Sequence, residues 1–129
     1  MIQKQTLVNL SDNSGIGLIK TFHLYNGFFR KKSKIGYYSK GSAKLLKKKK
    51  NLYLKKNVKK SFKKGSVVKF YLVRQSYSFL KKDSSSIKFK DNSSIIMKKK
   101  NVLHSQYVSG PVISDLGKKK IMLSFKKII

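Results

Sequence analysis

Short apolar runs separated by turn residues form the dominant pattern of this 129-residue chain. The strongest run, Ser66 to Arg74, has consecutive apolar residues that face both sides, as in a strand buried within a small barrel. Residues 6–10 and 17–25 predict two earlier strands, and the apolar side chains of the second share one face: Leu18, Phe22 and Leu24. Short strands at this spacing favour a barrel over alternating strands and helices.

Turn residues mark the boundaries of these strands. The structural turns are predicted at Asp12, Asn13, Gly15, Gly27 and Gly65, because Asp, Asn and Gly tolerate left-handed backbone conformations. Later in the chain, residues 81–86 predict a polar hairpin loop, and residues 87–89, 94–97 and 121–125 predict short strands. A short helical turn is expected at 113–116.

A lysine-rich stretch interrupts the pattern at about residues 44–62. Leu54, Val58 and Phe62 recur every four residues there, each followed by two lysines. This pattern is compatible with a helix bearing an apolar stripe and with an extended basic arm, and three repeats do not decide between them. We interpret residues 1–129 as a single domain carrying this stretch as an insertion.

The net charge of the chain indicates which class of molecule it binds. The chain has 32 Lys and Arg against 4 Asp and Glu, a formal net charge of +28. A free globule with this excess repels itself, so a polyanion is the expected partner, and nucleic acid is the commonest one. No cysteine is present, which excludes disulfides and thiolate metal sites. No catalytic constellation is visible, so the chain is predicted not to be an enzyme and to need no cofactor or metal.

The choice among residue types is skewed as well. Lys, Asn, Ile, Ser, Phe and Tyr are abundant, Glu and Trp are absent, and Arg occurs only at positions 30 and 74. These residues largely use A/T-rich codons, and phosphate chemistry alone would favour Arg over Lys. We infer an A/T-rich coding genome such as that of an organelle. The N-terminus shows no signal or transit peptide, and no apolar stretch approaches the ~20 residues of a membrane span.

Several motifs, in order, resemble one known family. Met1–Thr6 followed by Asp12–Gly15 is similar to the opening of the universal L-fourteen family of large-subunit ribosomal proteins. The family's Gly-Gly turn corresponds to Asn26-Gly27, and its basic element corresponds to Arg30–Gly36. Further similar segments follow in the family's order: Lys63–Lys69, Tyr71–Arg74, Asp83–Phe89, Asn92–Met97 and Gly110–Val112. The family's Thr-Arg pair near the last of these is Gln106-Tyr107 in this chain.

The resemblance implies a mostly β fold: a closed five-stranded β-barrel with a projecting β-ribbon and one or two short C-terminal helices. It also implies binding to large-subunit rRNA near the intersubunit face. Small-subunit rRNA at a bridge, neighbouring large-subunit proteins and a ribosome-silencing factor are the further partners it implies.

Residue chemistry and the resemblance together select the candidate site. The RNA-binding set consists of Arg30, Lys31, Lys32, Lys34, Lys63, Lys64, Lys69, Arg74, Lys81, Lys82 and Lys88. Arg74 has an alternative role, a salt bridge to Asp83 or Asp91. Residues 47–60 could insert between rRNA helices or form a solvated extension. Subunit-interface and protein contacts are expected at Gln106, Tyr107, Gly110 and Pro111.

Two functions are therefore compared. The first is a structural constituent of a mitochondrial large ribosomal subunit, with a plastid-type organelle as the alternative location. The second is a free-standing basic nucleic-acid-binding protein of an organelle nucleoid, which would bind arbitrary DNA and RNA with similar affinity.

Overall fold

The computed structural model describes residues 1–25, 27, 31–47, 62–98, 101–105, 107–113 and 127–128. Nine strands lie in these ranges: β1 (Leu7–Leu10), β2 (Ile16–Leu24), β3 (Tyr38–Leu46), β4 (Val67–Arg74), β5 (Phe79–Leu80), β6 (Ser86–Ile87), β7 (Ser93–Met97), β8 (Tyr107–Val108) and β9 (Lys127–Ile128). The ranges contain no α-helix, so the chain is mostly β as predicted.

Five of the strands close into a barrel in the order β1-β2-β3-β4-β7. Neighbours pair antiparallel except β1 and β7, whose parallel pairing completes the closure. The predicted closed five-stranded barrel is therefore confirmed. Closure leaves the barrel without a free strand edge, which protects a small β protein from pairing with other chains.

Strand β4 is buried on both faces, as its sequence predicted. Phe70 and Leu72 point into the barrel and pack in a cluster to which all five barrel strands contribute. Tyr71 and Val73 point outwards, yet they are also buried, because a second cluster forms on that side with Val108 among its members. The second cluster joins the C-terminal segment of the described chain to the barrel wall.

The prediction that Leu18, Phe22 and Leu24 share one face of β2 is wrong for Phe22. Phe22 is 41% exposed, whereas Ile16, Ile19, Thr21 and Leu24 are buried. The pairing of β2 with β3 contains irregularities on either side of Leu18 and again between Thr21 and His23. A bulge inserts an extra residue and shifts the strict two-residue alternation on which the prediction relied.

Strand β3 was not predicted, and it overlaps the start of the predicted lysine-rich insertion. Residues 44–46 belong to β3, while residues 48–61 lie outside the described ranges. Gly41 lies at the tightest point of the pairing with β2: a Cβ there would collide with the Ile19 side chain and lie 2.6 Å from the Lys20 carbonyl oxygen. Only glycine allows this backbone approach.

Two small sheets lie outside the barrel. Strands β5 and β6 form an antiparallel hairpin around the predicted polar loop, and β8 pairs with β9 in parallel. Most of the predicted 113–116 turn and the whole predicted 121–125 strand lie outside the described residues. The C-terminal helices implied by the resemblance also have no counterpart within the described ranges.

Candidate nucleic-acid interface

The first predicted basic segment forms a loop that is attached to the N-terminal residues. Ser33 is buried and exchanges two backbone hydrogen bonds with Ile2: the Ile2 amide donates to the Ser33 carbonyl at 3.0 Å, and the Ser33 amide donates back at 2.7 Å. Lys31, Lys32 and Lys34 flank this anchor and are exposed. A fixed backbone therefore presents three ammonium groups to solvent. Arg30 lies outside the described residues.

A second pair of cations, Lys63 and Lys64, lies in the tight turn before β4. Both side chains are exposed. The Gly65 amide donates to the Ala43 carbonyl at 2.8 Å, with Gly65 at φ 86°. A φ in this region strains residues with a side chain, so the glycine lets the turn close against β3 with the two lysines outward. Gly15 and Gly27 also have positive φ, at 87° and 121°.

The β5–β6 hairpin carries a third group. Lys82 and Lys88 are exposed and Lys81 is half-buried. The loop is ordered by Asp83, whose carboxylate accepts hydrogen bonds from the Ser85 hydroxyl at 2.6 Å and the Ser85 amide at 3.1 Å. These bonds, led by the one from the hydroxyl, hold the pKa of Asp83 below its ordinary value. Asp83 therefore shapes the turn of the hairpin.

The fourth group of basic residues forms a row across the outer barrel wall. Sequence reasoning identified only part of this row. His23 of β2 is opposite Lys40 of β3, and Lys40 is opposite Lys69 of β4. The ring of Tyr25 lies beneath both ammonium groups, with Lys40 Nζ 5.6 Å and Lys69 Nζ 5.1 Å from its centroid. Lys69 also contacts the Tyr38 ring, at 4.6 Å. Sequence reasoning selected Lys69 but missed Lys40, since β3 was not predicted, and it assigned no role to Tyr25 at the end of the predicted 17–25 strand.

This row places like charges directly opposite each other, which destabilises a sheet unless a counter-charge is near. Tyr25 makes cation–π contacts with both ammonium groups and Tyr38 with that of Lys69. The Lys69 ammonium also donates a hydrogen bond to Asn101 Oδ1 at 2.5 Å, which orients it without neutralising its charge. In the described part of the chain the single ion pair joins Arg74 to Asp91, so no carboxylate neutralises Lys40 or Lys69. A phosphate group has the charge and the acceptor oxygens to bridge two such lysines.

Arg74 has a different environment from the lysines. Its guanidinium is buried and donates to the Ser109 carbonyl at 2.9 Å, the Pro111 carbonyl at 3.2 Å and the Ser93 hydroxyl at 3.1 Å. It also pairs with Asp91 at 3.2 Å. Of the two roles considered for Arg74, the structure shows the salt bridge to Asp91. We therefore leave Arg74 out of the RNA-binding surface.

The Arg74 contacts fix the segment in which protein contacts were predicted. A Cβ at Gly110 would collide with the Arg74 guanidinium, and the Ser109 amide donates to the Ser11 carbonyl at 2.7 Å. Tyr107 and Pro111 remain exposed on this anchored segment, and Gln106 lies outside the described residues. Asp12 supports the same region, since its buried carboxylate accepts from the Ile96 amide at 2.8 Å and from Ser14.

The remaining titratable groups of the described residues do not gather into a metal site. Within the described ranges, no three His, Cys, Asp or Glu residues lie close enough to hold a metal ion. Burial lowers the pKa of His104 below its ordinary value, against an opposing effect of Asp12 and with a smaller contribution from Lys98. A search of the described residues finds no helix suited to span a membrane.

A closed β-barrel that exposes lysines without carboxylate partners belongs to the class of small basic proteins suited to bind a polyanion. Comparison with known proteins identifies the family. Residues 1–129 match the family described as Ribosomal protein L14p/L23e, and the chain belongs to this family. The predicted resemblance is thereby confirmed, and membership in a family of structural ribosomal proteins agrees with the prediction that the chain is not an enzyme.

Two relatives extend over almost the whole chain. Large ribosomal subunit protein uL14m of Tetrahymena pyriformis is 34% identical over 125 residues, which cover 97% of this chain and 97% of that protein. Large ribosomal subunit protein uL14 of Carsonella ruddii is 31% identical over 129 residues, which cover 100% of this chain and 94% of that protein.

Proposed function

We propose that this protein is a structural constituent of the large ribosomal subunit, where it binds large-subunit rRNA and supports the intersubunit face during translation. The family match over residues 1–129 is the observation that carries this proposal. Both relatives described above are named as large ribosomal subunit proteins.

The proposed mechanism is electrostatic clamping of rRNA by a rigid scaffold. Lysines contact phosphates without reading base sequence, and the fold of the RNA supplies the specificity. The contacting residues would be Arg30, Lys31, Lys32, Lys34, Lys63, Lys64, Lys69, Lys81, Lys82 and Lys88, to which the barrel wall adds Lys40. The anchored loop at Ser33 and the Lys40–Lys69 row support this set, because both hold cations on a fixed backbone.

Protein contacts and the bridge would involve the segment that Arg74 fixes. Tyr107 and Pro111 are exposed there, while the backbone around them is held by Arg74 and Ser11. An exposed segment with a held backbone is suited to pack against a neighbouring ribosomal protein, and the contacts predicted at Gln106 and Gly110 belong to the same proposal. A bridge to small-subunit rRNA and docking of a ribosome-silencing factor are further partners of the same proposal.

The proposed location is a mitochondrial ribosome, with a plastid-type organelle as the alternative. The A/T-skewed residue usage supports an organelle-encoded protein. The relative from Tetrahymena carries the mitochondrial designation uL14m.

Sedimentation of organelle lysates tests the proposal. In high-magnesium sucrose gradients, the tagged full chain should co-migrate with the large subunit and remain there after a wash at moderate salt. A density map of that particle should place the Ser33 loop and the Lys40–Lys69 row against rRNA. Recovery of the chain in DNA-containing fractions that lack the large subunit would instead support a nucleoid protein.

A further inference from the structure

One aromatic ring, that of Tyr25, contacts both lysines of the Lys40–Lys69 row. The two ammonium groups come from different strands, β3 and β4, and lie 5.6 and 5.1 Å from the centroid of this ring. Direct pairing of Lys40 with Lys69 places like charges side by side, and their repulsion favours side chains that turn away from each other. The electron-rich face of the ring attracts both cations and opposes this separation.

The Tyr25 ring is itself held in place. The ring of His23 packs against it nearly at right angles, with centroids 5.0 Å apart and an interplanar angle of 88°. The Tyr25 amide donates to the Tyr38 carbonyl at 3.3 Å. The side chain is half-buried and packs against the outer apolar cluster. A ring held in this way presents a fixed face to the two ammonium groups.

The row keeps both its charge and its capacity to donate hydrogen bonds. Lys69 contacts the Tyr38 ring at 4.6 Å and donates one hydrogen bond to Asn101 Oδ1. An ammonium group carries three N–H donors, so this neutral acceptor leaves others for a ligand. Across the described ranges, the one ion pair belongs to Arg74 and lies elsewhere. An anion with several acceptor oxygens is the ligand that this arrangement suits.

We propose that Tyr25 is a positioning residue for RNA binding: it holds the Lys40 and Lys69 ammonium groups side by side for the phosphodiester backbone. This inference rests on the proposed ribosomal function. A flexible side chain loses conformational freedom when it binds, and lysines already held against a ring lose less of it. The row therefore binds RNA phosphates more tightly than isolated exposed lysines do. The ring serves the lysines rather than a stacked base, because their ammonium groups lie over it.

Nuclear magnetic resonance of the lysine ε-methylene groups tests this inference residue by residue in the full chain. In the free chain, the ring should shift the signals of Lys40 and Lys69 upfield from those of the exposed Lys4 and Lys44. Titration with a uridine tetranucleotide that lacks terminal phosphates should give a Kd at the row about fivefold lower than at Lys4 and Lys44. Binding of inorganic phosphate at the row without binding of the tetranucleotide would overturn the assignment to RNA.

Two substitutions of Tyr25 separate the aromatic ring from the rest of the side chain. Tyr25→Leu should abolish the upfield shifts and raise the Kd at the row about fivefold, whereas Tyr25→Phe should preserve both. The signals of Lys31 and Lys32 are an internal control, because a general loss of folding would also change binding there. Phe22→Leu is the matched control: it removes an exposed ring of β2 and should leave the row unchanged.

The possible failures are distinguishable. An unchanged Kd at the row in Tyr25→Leu would overturn the positioning role. If circular dichroism shows that this variant is poorly folded, the unaltered chain decides, and equal affinities at Lys69 and Lys4 would overturn the inference. Either result leaves the ribosomal function standing while the chain co-migrates with the large subunit. Absence of the chain from that particle would overturn the proposed function, and with it the assignment of the row to rRNA.

Discussion

At the scale of single residues, register decides which lysines can act together. Lys40 and Lys69 are 29 positions apart, yet antiparallel pairing of β3 with β4 makes them direct neighbours. The ring of Tyr25, the residue that follows β2, contacts both ammonium groups. Two adjacent cations on a rigid wall lose little side-chain freedom when a phosphate binds, and this makes them better placed than lysines on a mobile loop.

Replacing Lys40 and Lys69 together with Ala should weaken binding to a large-subunit rRNA fragment. The slope of log K against log salt concentration should flatten by roughly 1.5 units, because about two counterions fewer are released. Filter binding at several salt concentrations measures the slope. A control variant with Ala at the exposed Lys4 and Lys44 removes the same charge elsewhere. Equal slopes for the two variants would contradict a special role for the row.

The burial of Tyr71 predicts how the free energy of unfolding changes at alkaline pH. The side chain is fully buried, and burial raises its pKa to about 12, with a smaller effect of Tyr38. Its unfolded pKa is near 10, so the stabilising contribution is complete below pH 10 and is lost as pH rises towards 12. Urea unfolding midpoints at pH 8 to 11, in high salt, should therefore fall less steeply in Tyr71→Phe. Parallel pH profiles would show that other groups dominate.

At the scale of elements, β3 is the least apolar strand of the barrel, yet the barrel depends on it for closure. It pairs with β2 on one side and β4 on the other, and only Tyr38 and Ala43 of its residues belong to the buried apolar clusters. Its position depends instead on backbone pairing and on the close approach at Gly41. A strand of this kind is invisible to a search for apolar alternation.

Gly41→Ala should destabilise the barrel by about 1–3 kcal/mol or more, because the added methyl overlaps the Ile19 side chain and the Lys20 carbonyl. Denaturant unfolding of the free chain measures the change. Ser42→Ala on the next residue of β3 adds no atoms and should stay within ~0.5 kcal/mol of the unaltered chain. Similar stabilities for both variants would refute the steric role of Gly41.

At the scale of the whole molecule, charge and fold have to be considered together. A formal charge of +28 on 129 residues opposes compaction, and the described residues contain one ion pair to offset it. The closed barrel keeps its fold through two buried apolar clusters on the two sides of its wall. Folded rRNA would supply the missing negative charge.

Changing Arg30, Lys31 and Lys32 together to Ala should flatten the salt slope of rRNA binding by ~2 to 3 units. The exposed Lys4, Lys44 and Lys98 provide a control triple with the same loss of charge. A smaller effect of the control triple is expected, because the loop beside Ser33 is anchored to Ile2. An unchanged slope in the loop variant would locate the RNA contacts elsewhere.

The sequence by itself determined the features that depend on neighbouring residues. The apolar run from 66 to 74 predicted β4, local turn chemistry predicted the turns around it, and the ordered motifs predicted the family. The overall charge indicated a polyanionic partner without any structure. These inferences need only composition, local backbone preference and the order of segments along the chain.

Tertiary structure decided the features that depend on register between distant segments. Bulges in the pairing of β2 with β3 leave Phe22 exposed. The register of β3 with β4 places Lys40 beside Lys69. Burial of Arg74 gives it a structural role, as the partner of Asp91 and of the C-terminal segment. A one-residue change in register reverses which side chains face the core, and such a change leaves no trace in local sequence pattern.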